Sequence, residues 1–199
     1  VYITPTFYTQ VVDASGKVVM TPNQEETRVF SEQTAYLAKS INKEPVTASN
    51  GTATYCAIKG MDVAAKTGTT DNSCDRWLCG FTPYYAAATW FGYDQQEYVD
   101  VSGNPSGKIW GAVMKTIHEP LPNKKFSETR PSNVTSATIC KASGKLATEL
   151  CKKDPRGNQV YTEYFIKGTV PTETCTCHVE VKICPETGLL ANEFCPNPE

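Results

Sequence analysis

The C-terminal third of the chain carries one short motif twice. Cys140-Lys-Ala-Ser-Gly-Lys-Leu-Ala-Thr-Glu-Leu-Cys151 and Cys184-Pro-Glu-Thr-Gly-Leu-Leu-Ala-Asn-Glu-Phe-Cys195 share both cysteines, a Ser/Thr-Gly step, Leu-Ala, and Glu followed by an apolar residue. The Ser/Thr-Gly step suits a tight turn, since glycine takes positive φ without steric cost. The Leu-Ala-x-Glu-apolar step suits one short helical turn. A unit of this size brings its two cysteines within disulfide reach, so the expected pairs are Cys140–Cys151 and Cys184–Cys195. A zinc reading competes, because Cys175-Thr-Cys177-His178 gathers ligand types. Ten residues between cysteines is not the short Cys-x2-4-Cys step usual at zinc sites, so no metal and no cofactor are expected.

Six of the nine cysteines follow residue 139, which divides the chain. Residues 1–120 read as an ordinary core-bearing domain. Residues 121–138 read as a linker, with prolines and charges in the stretch from Glu119 to Pro131. Residues 139–199 read as a small stapled extension. The cysteine content points to an oxidising, extracytoplasmic location. The chain is 40% hydrophobic with net charge −2, which argues against disorder and gives no electrostatic case for nucleic acid. No run of 18 apolar residues exists, and any targeting segment is expected to lie upstream of Val1. Cys74 and Cys79 flank a turn that a local bridge could close, which leaves Cys56, Cys175 and Cys177 with one unpaired or paired outside this chain.

Along the first domain, residues 7–20 predict two strands around Asp13-Ala-Ser-Gly16. Residues 31–42 predict a helix capped by Ser31, with Glu32 in the first turn. Pro45 to Gly60 reads as loop. Residues 61–70, 76–81 and 85–93 predict an antiparallel three-strand meander. Residues 106–118 predict a helix with Trp110, Val113, Met114 and Ile117 on one face, ended by Pro120. The expected fold class is α+β, with helices packed on an antiparallel sheet. Trp77, Trp90 and Trp110 read as core, His118 as a cation at a helix end, His178 as a loop residue, and Asp71, Asp75 and Arg76 as a solvated lip.

The chemistry-bearing segment is Lys66-Thr67-Gly68, at the end of a predicted strand. Alone the triplet is a weak signal. Its context, Val63-Ala-Ala-Lys-Thr-Gly-Thr-Thr-Asp-Asn and then Asp75-Arg-Trp-Leu-Cys-Gly-Phe-Thr-Pro-Tyr-Tyr-Ala-Ala-Ala-Thr-Trp-Phe-Gly-Tyr-Asp94, resembles the class A, bifunctional penicillin-binding proteins. The likeness extends to Arg28-Val-Phe-Ser-Glu-Gln-Thr-Ala35, to Ile109-Trp110 and to Tyr164-Phe-Ile-Lys-Gly-Thr-Val-Pro-Thr-Glu173.

The resemblance implies a peptidoglycan D,D-transpeptidase that acylates a serine with a stem peptide and passes the acyl group to an amine on a neighbouring strand. β-Lactams acylate the same serine. Lys66 and Thr69 are implied as catalytic, with Thr69 giving an oxyanion-hole amide. Thr67, Gly68, Thr69 and Thr70 are implied as substrate-binding. The family's nucleophilic Ser-x-x-Lys and its Ser-x-Asn should lie far upstream. Ser40-Ile-Asn42-Lys43 matches by spacing, but it sits too close to Lys66 and at a predicted helix C-terminus. Ser102-Gly-Asn104 comes in the wrong order. The chain is therefore read as the C-terminal part of a transpeptidase domain plus a Cys-rich extension, without a nucleophile of its own. The whole protein is expected at the cell surface, anchored in the plasma membrane by a segment absent here. Expected partners are stem peptides, β-lactams, the rest of the same protein, and a second copy through dimerisation or strand exchange. The alternatives are a non-catalytic cell-wall or partner-binding module, and a β-lactamase or D,D-carboxypeptidase relative.

Overall fold

A computed structural model describes residues 1–127, 129–193 and 195. The chain divides into two compact units, Val1–Pro131 and Ser132–Glu199.

The first unit begins with four short strands, β1 (Tyr2–Ile3), β2 (Val11–Val12), β3 (Val18–Met20) and β4 (Glu26–Thr27). β1 pairs with β4, and β2 with β3, both antiparallel. The β2–β3 turn forms where the hairpin signal lies: Asp13 Oδ1 accepts from the Ser15 and Lys17 amides. These strands bury little, and Phe7, Val12, Val19 and Phe30 are exposed.

Helix α1 (Glu32–Thr47) starts at Ser31, whose Oγ accepts from Thr34 N at 3.2 Å. It runs five residues beyond the predicted end and includes Pro45. The Pro45 carbonyl accepts from Ala53 N, which ties the following segment back to the helix. Ser40 thus lies within α1, not at its C-terminal end.

The meander is present as expected. Strands β5 (Ala64–Thr69), β6 (Asp75–Phe81) and β7 (Ala86–Gly92) form one antiparallel sheet in that order. Helix α2 (Pro105–His118) is capped by Asn104, which accepts from Gly107 N at 3.0 Å. It packs on β6 and β7. The core joins Val46, Cys56, Ala65, Leu78, Trp110 and Met114. Trp110 fills its centre and donates from Nε1 to the Ala87 carbonyl at 3.0 Å.

Trp77 and Trp90 differ from expectation. They are 40% and 39% exposed and lie against each other with ring centroids 6.5 Å apart. By alternation both lie on the sheet face opposite to that of Leu78, which packs in the core with Trp110 of α2. His118 is buried: Nδ1 donates to the Met114 carbonyl at 2.6 Å, and Nε2 lies 2.8 Å from Thr82 Oγ1. It closes the helix's last turn from inside the core rather than from solvent.

In the second unit β8 (Val134–Cys140) pairs antiparallel with β9 (Val160–Ile166) along their whole lengths. β8 begins inside the stretch expected to be linker. The duplicated motif is a real structural repeat. Gly144 N donates to the Cys140 carbonyl, and Gly188 N to the Cys184 carbonyl, both at 2.8 Å. Cys151 N donates to the Thr148 carbonyl, and Cys195 N to the Asn192 carbonyl, both at 3.1 Å. Gly144 and Gly188 have φ of 69° and 70°, which explains why both copies need glycine there.

The expected disulfides are not formed: no cysteine pair is bridged among the described residues. Cys195 lies near Cys184 and helps lower its thiol. Cys140 and Cys151 instead converge with Cys175 and His178 into one buried cluster, with all four potential ligand atoms within 4.8 Å of one another. The helical turn places Cys151 beside Cys140 as the motif suggests. The segment after β9 then inserts two more side chains between them. No bridge joins Cys74 to Cys79 either: Cys74 is buried, and Cys79 points outward from β6.

Candidate active site

Alternation along β5 puts Lys66 and Gly68 on one face and Ala65, Thr67 and Thr69 on the other. Ala65 is buried against the core, which fixes the register, so Lys66 must project outward. In that register Lys66 lies opposite Cys79, Gly68 opposite Trp77, and Thr69 opposite Arg76. β5 is the outer strand of its sheet, and its other edge carries no strand among the described residues.

Lys66 is exposed, and its Nζ donates to the neighbouring Thr67 carbonyl at 3.0 Å. Two grooves meet at this side chain. One, of about 450 Å³, is lined by Asn42, Ala64, Lys66, Cys79 and Phe81. The other, of about 350 Å³, runs along α1 past Asn42, Pro45, Asn50 and Thr52 to Lys66. The cation stands between them, where an extended ligand with a carboxylate terminus would meet it.

Thr67 Oγ1 donates to Thr52 Oγ1 at 3.3 Å, and Arg76 Nη1 donates to Thr69 Oγ1 at 3.4 Å. A second cation thus reaches the same strand end. Arg76 Nε is buried without a hydrogen-bond partner among the described residues. Sequence reasoning assigned Arg76 to a solvated lip, yet the pairing of β5 with β6 places it directly across from Thr69. Asp75 is also fixed. It accepts from Trp90 Nε1 and from Thr70 Oγ1, both at 2.7 Å, and these donors hold its carboxyl below the usual carboxylate range. The Thr70 hydroxyl is therefore spent on Asp75 and pins the β5–β6 turn, where Asn72 and Ser73 both take positive φ.

Ser40 and Lys43 both lie within α1. Lys43 Nζ is bound to Asp62 Oδ2 at 3.0 Å, and Asp62 also holds Lys125 at 3.2 Å and the Phe126 amide at 3.1 Å. Asn42, by contrast, lines both grooves beside Lys66 while its Nδ2 donates to the Ala38 carbonyl at 2.8 Å.

Residues 1–119 match the penicillin binding protein transpeptidase domain. The chain belongs to the penicillin-binding protein transpeptidase family. Residues 130–180 match the C-terminal domain described for penicillin-binding protein 1A, so the second unit also has family relatives. Penicillin-binding protein 1A of Clostridium botulinum (strain Langeland) is 41% identical over 98% of this chain, and that of Clostridium perfringens (strain ATCC 13124) 38% over 90%. The chain spans 24% and 22% of those relatives' own lengths. The crystal structure of penicillin-binding protein 1A from Haemophilus influenzae superposes with a TM-score of 0.65 at 24% identity, covering 87% of this chain and 30% of that one. That likeness carries the α+β transpeptidase fold.

Proposed function

We propose that β5 forms one wall of the acylation site in a serine-type D,D-transpeptidase that cross-links peptidoglycan stem peptides and is acylated by β-lactams. The observation that carries this reading is the position of Lys66-Thr67-Gly68-Thr69 on an outer strand, with the Lys66 cation exposed where two grooves meet.

A stem peptide laid along β5 as an added strand would gain main-chain hydrogen bonds, with its terminal carboxylate at Lys66 and the Thr67 and Thr69 hydroxyls. Gly68 would leave room for the donor's backbone. A serine oxygen then bonds to the penultimate D-Ala carbonyl carbon, and that carbon's bond to the terminal D-Ala nitrogen breaks. The departing amine takes a proton, with Lys66 in reach to help move it. The Thr69 amide would face the developing oxyanion, a donor of a kind typically worth about 3 kcal/mol in the transition state. An amine from a neighbouring strand next attacks the acyl carbon, the bond to the serine oxygen breaks, and the serine regains its proton. With a β-lactam the ring amide breaks instead, and the leaving nitrogen stays tethered.

The serine is proposed to come from chain outside these residues, in keeping with the engagement of Lys43 by Asp62. The exposed apolar side chains of residues 1–30 suit packing against that remaining part, or against a second copy by strand exchange. An extracytoplasmic site follows from the substrate class. Among the described residues, no helix is long and apolar enough to cross a membrane.

Fluorescent penicillin tests the reading. The 199-residue chain alone should remain unlabelled, and the complete protein should be labelled in a way that ampicillin blocks. Labelling of the isolated chain would overturn the assignment of the nucleophile. No labelling of the folded complete protein would overturn the function.

A further inference from the structure

We propose that Cys140, Cys151, Cys175 and His178 form a closed structural zinc site that holds the second unit together. It lies in a different unit from Lys66 and takes no part in acyl transfer.

The first argument is geometric. Tetrahedral zinc with bonds of about 2.3 Å to sulfur and about 2.0 Å to nitrogen separates its ligand atoms by roughly 3.5–3.8 Å. His178 Nδ1 lies 3.5 Å from Cys140 Sγ and 3.3 Å from Cys175 Sγ, and all four ligand atoms lie within 4.8 Å of one another. A disulfide requires about 2.05 Å between sulfurs and would leave the third thiol and the imidazole unexplained. Three thiols and one imidazole can all be satisfied by a single tetrahedral cation.

The second argument concerns what surrounds the ligands. His178 Nε2 donates to Asp154 Oδ2 at 2.8 Å, which leaves the Nδ1 lone pair facing the sulfurs. Asp154 is in turn gripped by Arg156, from Nε at 3.0 Å and Nη2 at 2.7 Å. A carboxylate that orients a ligating histidine through its far nitrogen is the usual outer support of zinc sites. A backbone amide also points at a sulfur: Thr148 N donates to Cys151 Sγ at 3.3 Å. Such donors stabilise bound thiolates.

The third argument is the size of the unit. Ser132–Glu199 is fewer than 70 residues, and its buried apolar residues are Val134, Ile139, Cys140, Cys151 and Cys175 among the described residues, with Ala147 and Val160 packed against the cysteines. That is little apolar mass, and domains of this size commonly depend on a staple. The three cysteines are buried and the His178 side chain is only 10% exposed, so no coordination position opens to solvent. A closed four-ligand set marks a structural rather than a catalytic site. Thiolate and imidazole donors favour zinc over magnesium or calcium, and binding releases the thiol protons to solvent. The second motif copy repeats the turn but contributes only Cys184 and Cys195, with no counterpart of the Cys175–His178 pair among the described residues.

The test uses the full chain, purified under reducing conditions, supplied with zinc sulfate and desalted. Elemental analysis should find about one zinc per chain. Cobalt in place of zinc should give the intense visible bands of a tetrahedral site together with thiolate charge transfer. Cys175→Ser and His178→Ala should each abolish retained metal, whereas Cys177→Ser and Cys184→Ser should retain it. Asp154→Asn should weaken binding roughly tenfold to a hundredfold. The proposal is overturned if the reduced wild-type chain retains no zinc, if its cobalt spectrum is octahedral, or if Cys184→Ser loses metal as fully as Cys175→Ser. Wild-type stoichiometry and the cobalt spectrum decide the question even if a ligand variant fails to fold.

Discussion

Gly68 lies directly opposite Trp77 across the β5–β6 ladder, and a Cβ at residue 68 would come within 3.1 Å of the Trp77 Cβ. The glycine therefore serves two purposes. It leaves the strand edge without a side chain, as the proposed approach of a ligand backbone requires, and it leaves room for the Trp77 Cβ. Gly68→Ala should leave the chain folded, because Trp77 is partly exposed and can shift by a few tenths of an ångström. It should also displace the strand edge and slow β-lactam acylation of the complete protein by roughly tenfold or more. Stopped-flow acylation with a chromogenic cephalosporin, beside thermal unfolding, checks both halves.

Lys66 touches little of the protein, so its removal should separate chemistry from stability. Lys66→Ala in the complete protein should lower the acylation rate by roughly 10²–10⁴-fold. Stability should move by less than about 0.5 kcal/mol, as for an ordinary surface substitution. An unchanged acylation rate would contradict the role assigned to this side chain.

Asp62 sets an acid limit on the first unit. Burial pushes its carboxyl up, but Lys43, the Phe126 amide and Lys125 together hold it below its ordinary value. Its contribution is therefore full above the unfolded carboxylate value of about 3.9 and is lost as pH falls through the lower folded value. Asp62→Asn should cost about 1–3 kcal/mol near neutral pH. The wild-type and variant stability curves should begin to approach each other as pH falls below about 4; urea melts from pH 7 to pH 2 would reveal it.

The cysteines should differ sharply in reactivity. Burial pushes the Cys56 thiol up to about 11, and it packs in the core with its Sγ on the Gly107 carbonyl. The Thr187 hydroxyl, Cys195 and nearby amides lower Cys184 to about 7. Iodoacetamide at pH 8 should modify Cys184 promptly, with a rate that rises through pH 7 and then levels off. Cys56 should react only after denaturation. Peptide mapping of a timed reaction measures both.

Much of the first unit was legible because local rules and packing agree there. Ser31 caps a helix, Asp13 and Gly16 turn a hairpin, and the apolar spacing around Trp110 marks a buried helical face. The exposed Trp77 and Trp90 were not legible. An aromatic residue on a strand is core or surface according to what covers that face, and alternation alone does not say. Pro45 misled in a similar way: a proline often ends a helix, but here the turns that follow stay tied to α1 by the Pro45 carbonyl. Arg76 at Thr69 follows from strand register, which no local pattern specifies.

The cysteines separate the two sources of information most clearly. The sequence by itself determined that Cys140–Cys151 and Cys184–Cys195 belong to one duplicated turn, because each turn's shape depends on a few neighbouring residues and a glycine of positive φ. It also determined that Lys66-Thr67-Gly68 ends a strand. Only the tertiary structure decided that Cys175 and His178 enter the first turn, so that four ligands converge where a two-cysteine bridge was expected. Those side chains come from beyond β9, and their approach is set by the bridge of Thr174 to Leu146 and the hold of Asp154 on His178 rather than by any spacing along the chain.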